Sequence, residues 1–276
     1  MLDYIENIRQ LPEAPNGRSS GKRIQKGGQS TTGLLEWTTE SPETFREYLE
    51  AVEERLPTSG GRPEEAHTLK INGLFRQGPR TAIFYECAEP PVDLREVLLK
   101  VPKPPDSVIR GLARVIATQV RSMHVHFQID HTALRTESFV FLSARPVDYT
   151  RPYLLDLARP ASPDMYRHPE YRAEEKPSWF YQVWALMMIL SEIAEWRPFD
   201  RARPGDDEGE VELLRRKLNR KRLVTSSEWK SAFSTEVFRY GFGILDADRE
   251  TPETYSRWRV KRFYDELCEL LLSSPS

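Results

Sequence analysis

Between residues 124 and 156 the chain gathers His124, His126, Asp130, His131, Arg135, Glu137, Ser138 and Asp156, the side-chain types from which proton transfer and metal binding are built. Asp130 or Asp156 could accept a proton or hold a divalent cation, and the histidines could ligate a transition metal. Spacing narrows these options. His124 and His126 stand two apart at the expected end of a helix, where such a pair points in different directions; with His131 and His168 they read as core or surface histidines. Cys87 and Cys268 lie far apart without metal-ligand spacing, which argues against a zinc site and a disulfide framework. One carboxylate without further fixed oxygen ligands is a poor magnesium site. What these groups can do therefore depends on the elements that hold them.

The stretch "HTALRTESFVF", residues 131 to 141, joins two patterned segments. Before it, "SVIRGLARVIATQVRSMHV" places Val108, Ile109, Leu112, Val115, Ile116, Val120 and Met123 on one helical stripe, with Asp106 or Ser107 as the expected cap. After it, "SFVFL" and "PYLLDLA" read as short strands. "WFYQVWALMMILSEIAEW", Trp179 to Trp196, is apolar on nearly every side, as a helix surrounded by protein should be. Gln182, Glu192 and Glu195 within it would be expensive in lipid, which argues against a membrane span. A charged helix, "EGEVELLRRKLNRKRL", and two further helical segments follow, the last ending in "TYSRWRVKRFYDELCELLL". Upstream, "GLLEWTT" has strand composition, and "SPETFREYLEAVEERL" reads as a helix capped by Ser41 with Pro42 at its first position. "HTLKINGLF" and "RTAIFYECA" are strands on either side of the turn-like "RQGPR". Residues 13 to 33 are rich in Gly, Ser and polar side chains, the composition of a flexible segment. The expected organisation is a flexible N-terminal segment over 1–33, a small strand and helix unit over 34–90, a helical unit over 91–272 and a tail over 273–276.

Bulk properties set the partners. A chain of 276 residues with a net charge of -2 has room for a sizeable core and no global basic field to draw it to nucleic acid or an anionic membrane. With two cysteines and no apolar stretch after a basic start, the expectation is a reduced, cytoplasmic protein. "RRKLNRKR", Arg215 to Arg222, is the one segment that would carry nuclear import or nucleic-acid contact. The acidic "DDEGEVE" before it favours a locally balanced, solvated helix. A protein partner is expected, and neither a membrane nor nucleic acid.

The order of elements and their motifs resemble the protein kinase-like superfamily. "HTALRTESFVF" has the length and apolar ending of the kinase catalytic loop H-R-D-L-K-P-E-N-I-L. "YRHPEY", Tyr166 to Tyr171, and "QVWALMMILSEIAEW", Gln182 to Trp196, are similar to stretches in diverged kinase-like domains common in filamentous fungi. The resemblance covers roughly residues 30 to 272 and implies an α+β, two-lobed kinase-like fold with a reduced small mixed lobe and a large, mainly helical one.

The same resemblance implies roles place by place. His131 matches the loop histidine, Leu134 and Arg135 the leucine and lysine, and Glu137 the residue before the metal-binding asparagine. Ala133 stands where kinases have the aspartate that orients the substrate hydroxyl, and Ser138 where asparagine holds magnesium. Losing the proton acceptor alone removes a factor on the order of 10²–10⁴ in rate; Asp130, three residues away, is the candidate to stand in. Counting back from Ala158 and Arg159 puts Leu154, Leu155 and Asp156 under D-F-G, so the metal aspartate becomes Leu154. A register shifted by two would make Asp156 the ligand. "GKRIQKGG" lacks the apolar alternation of a phosphate-covering loop, and "GLLEWTT" offers Glu36 and Trp37 where a lysine should pair with Glu47 or Glu50. Lys26 and Lys70 fall outside that strand. "YECAEPPVDLREVLL" resembles the hinge, with Glu86, Cys87 and Ala88 as the backbone groups that would face an adenine. Glu170 is expected to pair with an arginine from the last third of the chain. The reading is a pseudokinase: a catalytically inactive domain acting as a protein-interaction or regulatory scaffold, with no cofactor and at most weak ATP binding. The alternative is an atypical ATP-dependent phosphotransferase using Asp130 or Asp156.

Overall fold

The structure is a computed structural model that describes residues 8–10, 18–24, 30–38, 50, 67–69, 71–87, 91–127, 131, 133–143, 146–155, 164–170, 179–200, 209–247 and 257–273. The chain divides into two compact units. One is built from Met1–Leu94 and Glu137–Arg159, the other from Arg95–Thr136 and Pro160–Ser276. The fragment 137–159 thus groups with the strand-rich unit rather than with the helical unit to which the sequence reading assigned it.

In the first unit, strands β1 (Ile8–Gln10), β2 (Arg18–Ile24), β3 (Ser30–Thr38), β4 (Ile71–Gln77) and β5 (Arg80–Glu86) form an antiparallel sheet in the order β1-β2-β3-β5-β4. The expectation of flexibility over 1–33 fails for β1, β2 and the start of β3. Their composition is polar, but β2 pairs with β3 along its whole length, from Arg18↔Glu36 to Ile24↔Ser30, so the backbone ladder supplies what apolar alternation does not. Gly21 in the middle of β2 lies against the Leu35 and Ile8 side chains, where a Cβ would approach Leu35 Cδ1 to 2.9 Å. Strand period separates the two faces of the sheet. Leu35, Trp37, Ala82 and Phe84 pack together on one; Leu34, Leu74, Ile83 and Tyr85 line the other. Gly78, at φ 58°, makes the turn between β4 and β5, where a side chain would strain the backbone. A second sheet joins β6 (Val92–Asp93), β7 (Phe139–Phe141) and β8 (Tyr153–Leu154), with Val92 opposite Phe141 and Phe139 opposite Leu154.

The second unit is helical: α1 (Leu94–Lys100, which starts at the boundary), α2 (Asp106–Ser122), α3 (Trp179–Glu195), α4 (Glu210–Thr225), α5 (Thr235–Ala247) and α6 (Arg257–Ser273). α2 buries Ile109, Leu112, Ile116 and Val120 of the anticipated stripe, with Ala113 and Ala117 beside them, and leaves Val108 and Val115 half-buried. Its cap differs from the expectation: Pro105 takes the cap position with no side-chain bond, and Asp106 is the first helical residue, an acid in the first turn as the helix dipole prefers. Beyond Ser122 the chain widens into one π-helical turn, Met123–Phe127, that buries His124 and leaves His126 exposed.

α3 is buried along nearly its whole length, with Trp184 2 % and Leu186 0 % exposed. Its polar residues are satisfied inside the fold. Trp184 Nε1 donates to the Met165 carbonyl (3.1 Å), and Glu192 accepts from the Tyr166 hydroxyl (2.7 Å) and the Phe199 N–H (2.6 Å). The helix ends on Trp196, a non-glycine residue at φ 56°; the Arg197 N–H returns to the Glu192 carbonyl at 3.0 Å, and the Trp196 indole donates to the Val101 carbonyl at 2.8 Å. Among the described residues no helix is long and apolar enough to cross a membrane. The helix expected from Ser41 lies outside the described residues apart from Glu50, which is helical.

Candidate functional site

The residues that a kinase-like reading assigns to nucleotide and phosphate fall on the inner face of the first unit's sheet and on the adjoining β7 and β8. Register sets them side by side: Leu34 opposite Tyr85 and Glu36 opposite Ile83. Leu34, Leu69, Leu74, Ile83, Tyr85, Cys87, Val140 and Leu155 form one buried cluster, with Ile71, Leu142 and Tyr153 packed against it. Cys87, an expected hinge residue, is part of this apolar wall, and burial pushes its thiol up to about 11, which leaves it protonated and unreactive at neutral pH. Glu86 beside it is exposed and accepts a hydrogen bond from Asn72 at 2.5 Å. Ala88 lies outside the described residues.

The charged part of the site sets an acid and a base across the sheet from each other. Glu36, 2 % exposed, occupies the strand position expected to carry a lysine, and Arg18, 3 % exposed, stands directly across from it on β2. Opposite charges facing each other across a ladder stabilise the pairing. Tyr85 donates its hydroxyl to Glu36 Oε2 at 3.3 Å, and Arg18 Nη1 donates to the Glu137 carbonyl at 2.5 Å. Arg18 therefore links β2 to the short 3₁₀ turn Thr136–Ser138. Sequence reading missed Arg18, because "RSSGKRI" has no apolar pattern to mark an inward-facing cation; only its partner across the sheet identifies it.

Ser138 is fully buried, and its carbonyl accepts the Leu155 N–H at 2.8 Å. Leu154, the residue counted under the metal aspartate, lies within β8; it is buried and its N–H donates to the His67 carbonyl at 2.8 Å. Asp130 and Asp156 lie outside the described residues. Lys26, Glu47 and Lys70 do so as well.

In the second unit, His131 is buried and Ala133 is half-buried. His124 lies in a polar relay: its Nδ1 pairs with the Tyr264 hydroxyl at 2.8 Å, and its Nε2 with Gln182 Oε1. Burial holds its ring well below the usual histidine range, at about 4, so it is neutral at physiological pH. Glu170 is exposed, its N–H donating to His168 Nδ1 at 3.1 Å. Among the arginine–carboxylate ties of this unit, Arg220 pairs with Glu195 at 2.9 Å and Arg121 with Asp265 at 2.8 Å. Among the described residues no group of three or more His, Cys, Asp or Glu side chains is arranged to hold a metal.

No family model matches the sequence, and no curated protein matches it. Solved structures do. The kinase domain of PknI from Mycobacterium tuberculosis is similar at a TM-score of 0.58 and 15% identity, over 95% of this chain and 94% of that one. A double-mutant form of the same domain aligns at 0.59 and 17%, with the same coverage. The fold is that of a protein kinase domain, with a smaller sheet-bearing unit and a larger helical one.

Proposed function

We propose that the chain is a catalytically inert kinase-like domain that acts through protein contacts, as a scaffold or regulatory module. The observation that carries this reading is the buried cluster of Leu34, Ile83, Tyr85, Cys87, Val140 and Leu155: a nucleotide base inserted there would have to displace packed side chains. The reversed charge adds to it, because Glu36 brings a carboxylate where phosphoryl transfer requires a cation, and the Arg18 guanidinium is engaged with the Glu137 carbonyl. Ala133 removes the proton acceptor and Ser138 the magnesium asparagine.

The test is nucleotide binding and turnover by the whole chain. A ligand at a hundredfold excess over its dissociation constant stabilises the native state by about 2.7 kcal/mol, which a melting experiment detects. Millimolar ATP is expected to shift the melting temperature little, magnesium to add nothing, and radiolabelled ATP to remain unhydrolysed. One observation favours a second reading, an atypical phosphotransferase. The Leu155 N–H donates to the Ser138 carbonyl, so strand pairing runs through Leu155, and Asp156 is the next residue in sequence. A large magnesium-dependent shift abolished in Asp156→Ala would put that reading first.

A further inference from the structure

α4 buries few of its side chains and exposes several large apolar ones along its length. Of its 16 residues, Lys217 and Val224 are the buried ones. Val211 is 82 % exposed, Leu214 41 % and Leu218 49 %. Their spacing of i, i+3 and i+7 puts them in one stripe along the helix. Arg215 follows Val211 by four residues and Arg222 follows Leu218 by four, so both border the stripe, and both are exposed. The helix carries six basic and two acidic residues, a net charge of +4, in a chain whose net charge is -2.

Arg215 pairs with Glu212 of the same helix through Nε (2.7 Å) and Nη2 (2.6 Å), while other contacts of the helix hold it in place. Lys217 Nζ donates to the Arg167 carbonyl at 2.6 Å, and Arg220 donates from Nε to Ser191 Oγ at 3.0 Å while pairing through Nη1 with Glu195 at 2.9 Å. Arg220 fixes the helix against α3 and Lys217 fixes it against the segment that holds Arg167, which turns part of the basic run away from solvent. What faces outward is an apolar stripe with arginines along its border, a poor match to a phosphate backbone, which needs cations throughout.

We infer that the outer face of α4 is a docking surface for an acidic amphipathic helix of a partner protein, whose apolar residues cover Val211, Leu214 and Leu218 and whose carboxylates meet Arg222 and compete with Glu212 for Arg215. Helix-on-helix recognition of this kind is read as anchors at i, i+3 and i+7, and the opposite charges set partner choice and on-rate. From Val211 to Arg222 the stripe spans about 16 Å, the length of roughly three helical turns. The surface deepens the scaffold reading by naming its class of partner, and it needs no nucleotide.

The experiment measures fluorescence anisotropy of a labelled, designed helical peptide of about 18 residues, a length at which an isolated helix holds, titrated with the full chain. One peptide carries leucines at i, i+3, i+4 and i+7 with glutamates on both flanks; its counterpart carries lysines there. The acidic peptide is expected to bind saturably and the lysine peptide at least tenfold more weakly. The double variant Leu214→Asp, Leu218→Asp should weaken the acidic peptide at least tenfold with an unchanged melting curve, since both residues are exposed. Arg222→Glu should weaken it severalfold. No saturable binding, equal binding of both peptides, or indifference to the double variant would overturn the inference. So would self-association through Leu214 and Leu218 in sedimentation, or capture of the chain by generic duplex DNA or anionic vesicles in place of the peptide. ATP turnover, in contrast, would sink the inert reading and leave this surface standing, whereas failure of the peptide leaves the nucleotide result untouched.

Discussion

The His124 relay makes stability depend on pH in a window that can be calculated. In the native state the ring is buried between Tyr264 and Gln182, and its pKa falls from 6.5 to about 4. Unfolded chains therefore bind this proton more readily than native ones do, so stability is complete above pH 6.5, declines as pH falls, and levels off near 4. For a shift of that size, linkage gives a loss of about 2 kcal/mol between pH 7 and pH 5, a large share of the roughly 5–15 kcal/mol that holds a domain together. The perturbation is His124→Gln, which keeps a polar side chain and removes the titration. Urea unfolding at pH 7, 6 and 5, followed by tryptophan fluorescence, reads both proteins. The variant should start less stable, because the relay to Tyr264 and Gln182 is disturbed, yet lose about 2 kcal/mol less than the wild type across the window. Carboxylates elsewhere act equally on both and cancel in the difference. Equal slopes would refute the reasoning, as would a native imidazole titrating near 6.5 by NMR.

Two other perturbations follow from packing. Trp184→Ala removes a fully enclosed indole and its bond to the Met165 carbonyl, and chemical denaturation should show a loss of about 3–5 kcal/mol. Gly33→Ala would press a methyl group into the Phe84 ring and the Tyr85 carbonyl oxygen, and a backbone atom cannot yield as a flexible side chain does, so a loss of about 1–3 kcal/mol is expected. The control is Gly111→Ala in α2, where a Cβ meets open space; the same assay should there give a gain of up to about 1 kcal/mol.

The helical unit was legible because its signals are local. The all-round apolar run of α3 and the stripe of α2 each announce burial from their own spacing, and both are buried as expected. The first two strands, and the start of β3 ahead of "GLLEWTT", were not legible in this way. β2 has no apolar alternation, and its place in the sheet comes from pairing with β3, a relation that no window of the sequence contains. The same limit hid Arg18, whose inward orientation follows from the register that puts it opposite Glu36. The packing of Val140 and Leu155 against Leu34 and Cys87 joins residues separated by more than fifty positions and required the folded chain. Glu195 illustrates a third case: nothing in its local sequence marked it, and its tie to Arg220 follows from the packing of α4 on α3.

The first unit is made from two separated stretches of chain, Met1–Leu94 and Glu137–Arg159, and this has a consequence during synthesis. Its apolar cluster needs Val140 and Leu155, and its second sheet needs β7 and β8, so a nascent chain that has reached only Leu94 lacks part of its own interior. The last of the missing residues, Arg159, arrives 65 positions later, a delay of about 3–13 s at ordinary elongation rates. During that interval Leu34, Ile83 and Tyr85 have no complete partner set, which makes the early chain a natural client for chaperones. Fragments truncated at residue 94 should for the same reason be insoluble, while a fusion that appends 137–159 to 1–94 through a short linker restores the components of that interior.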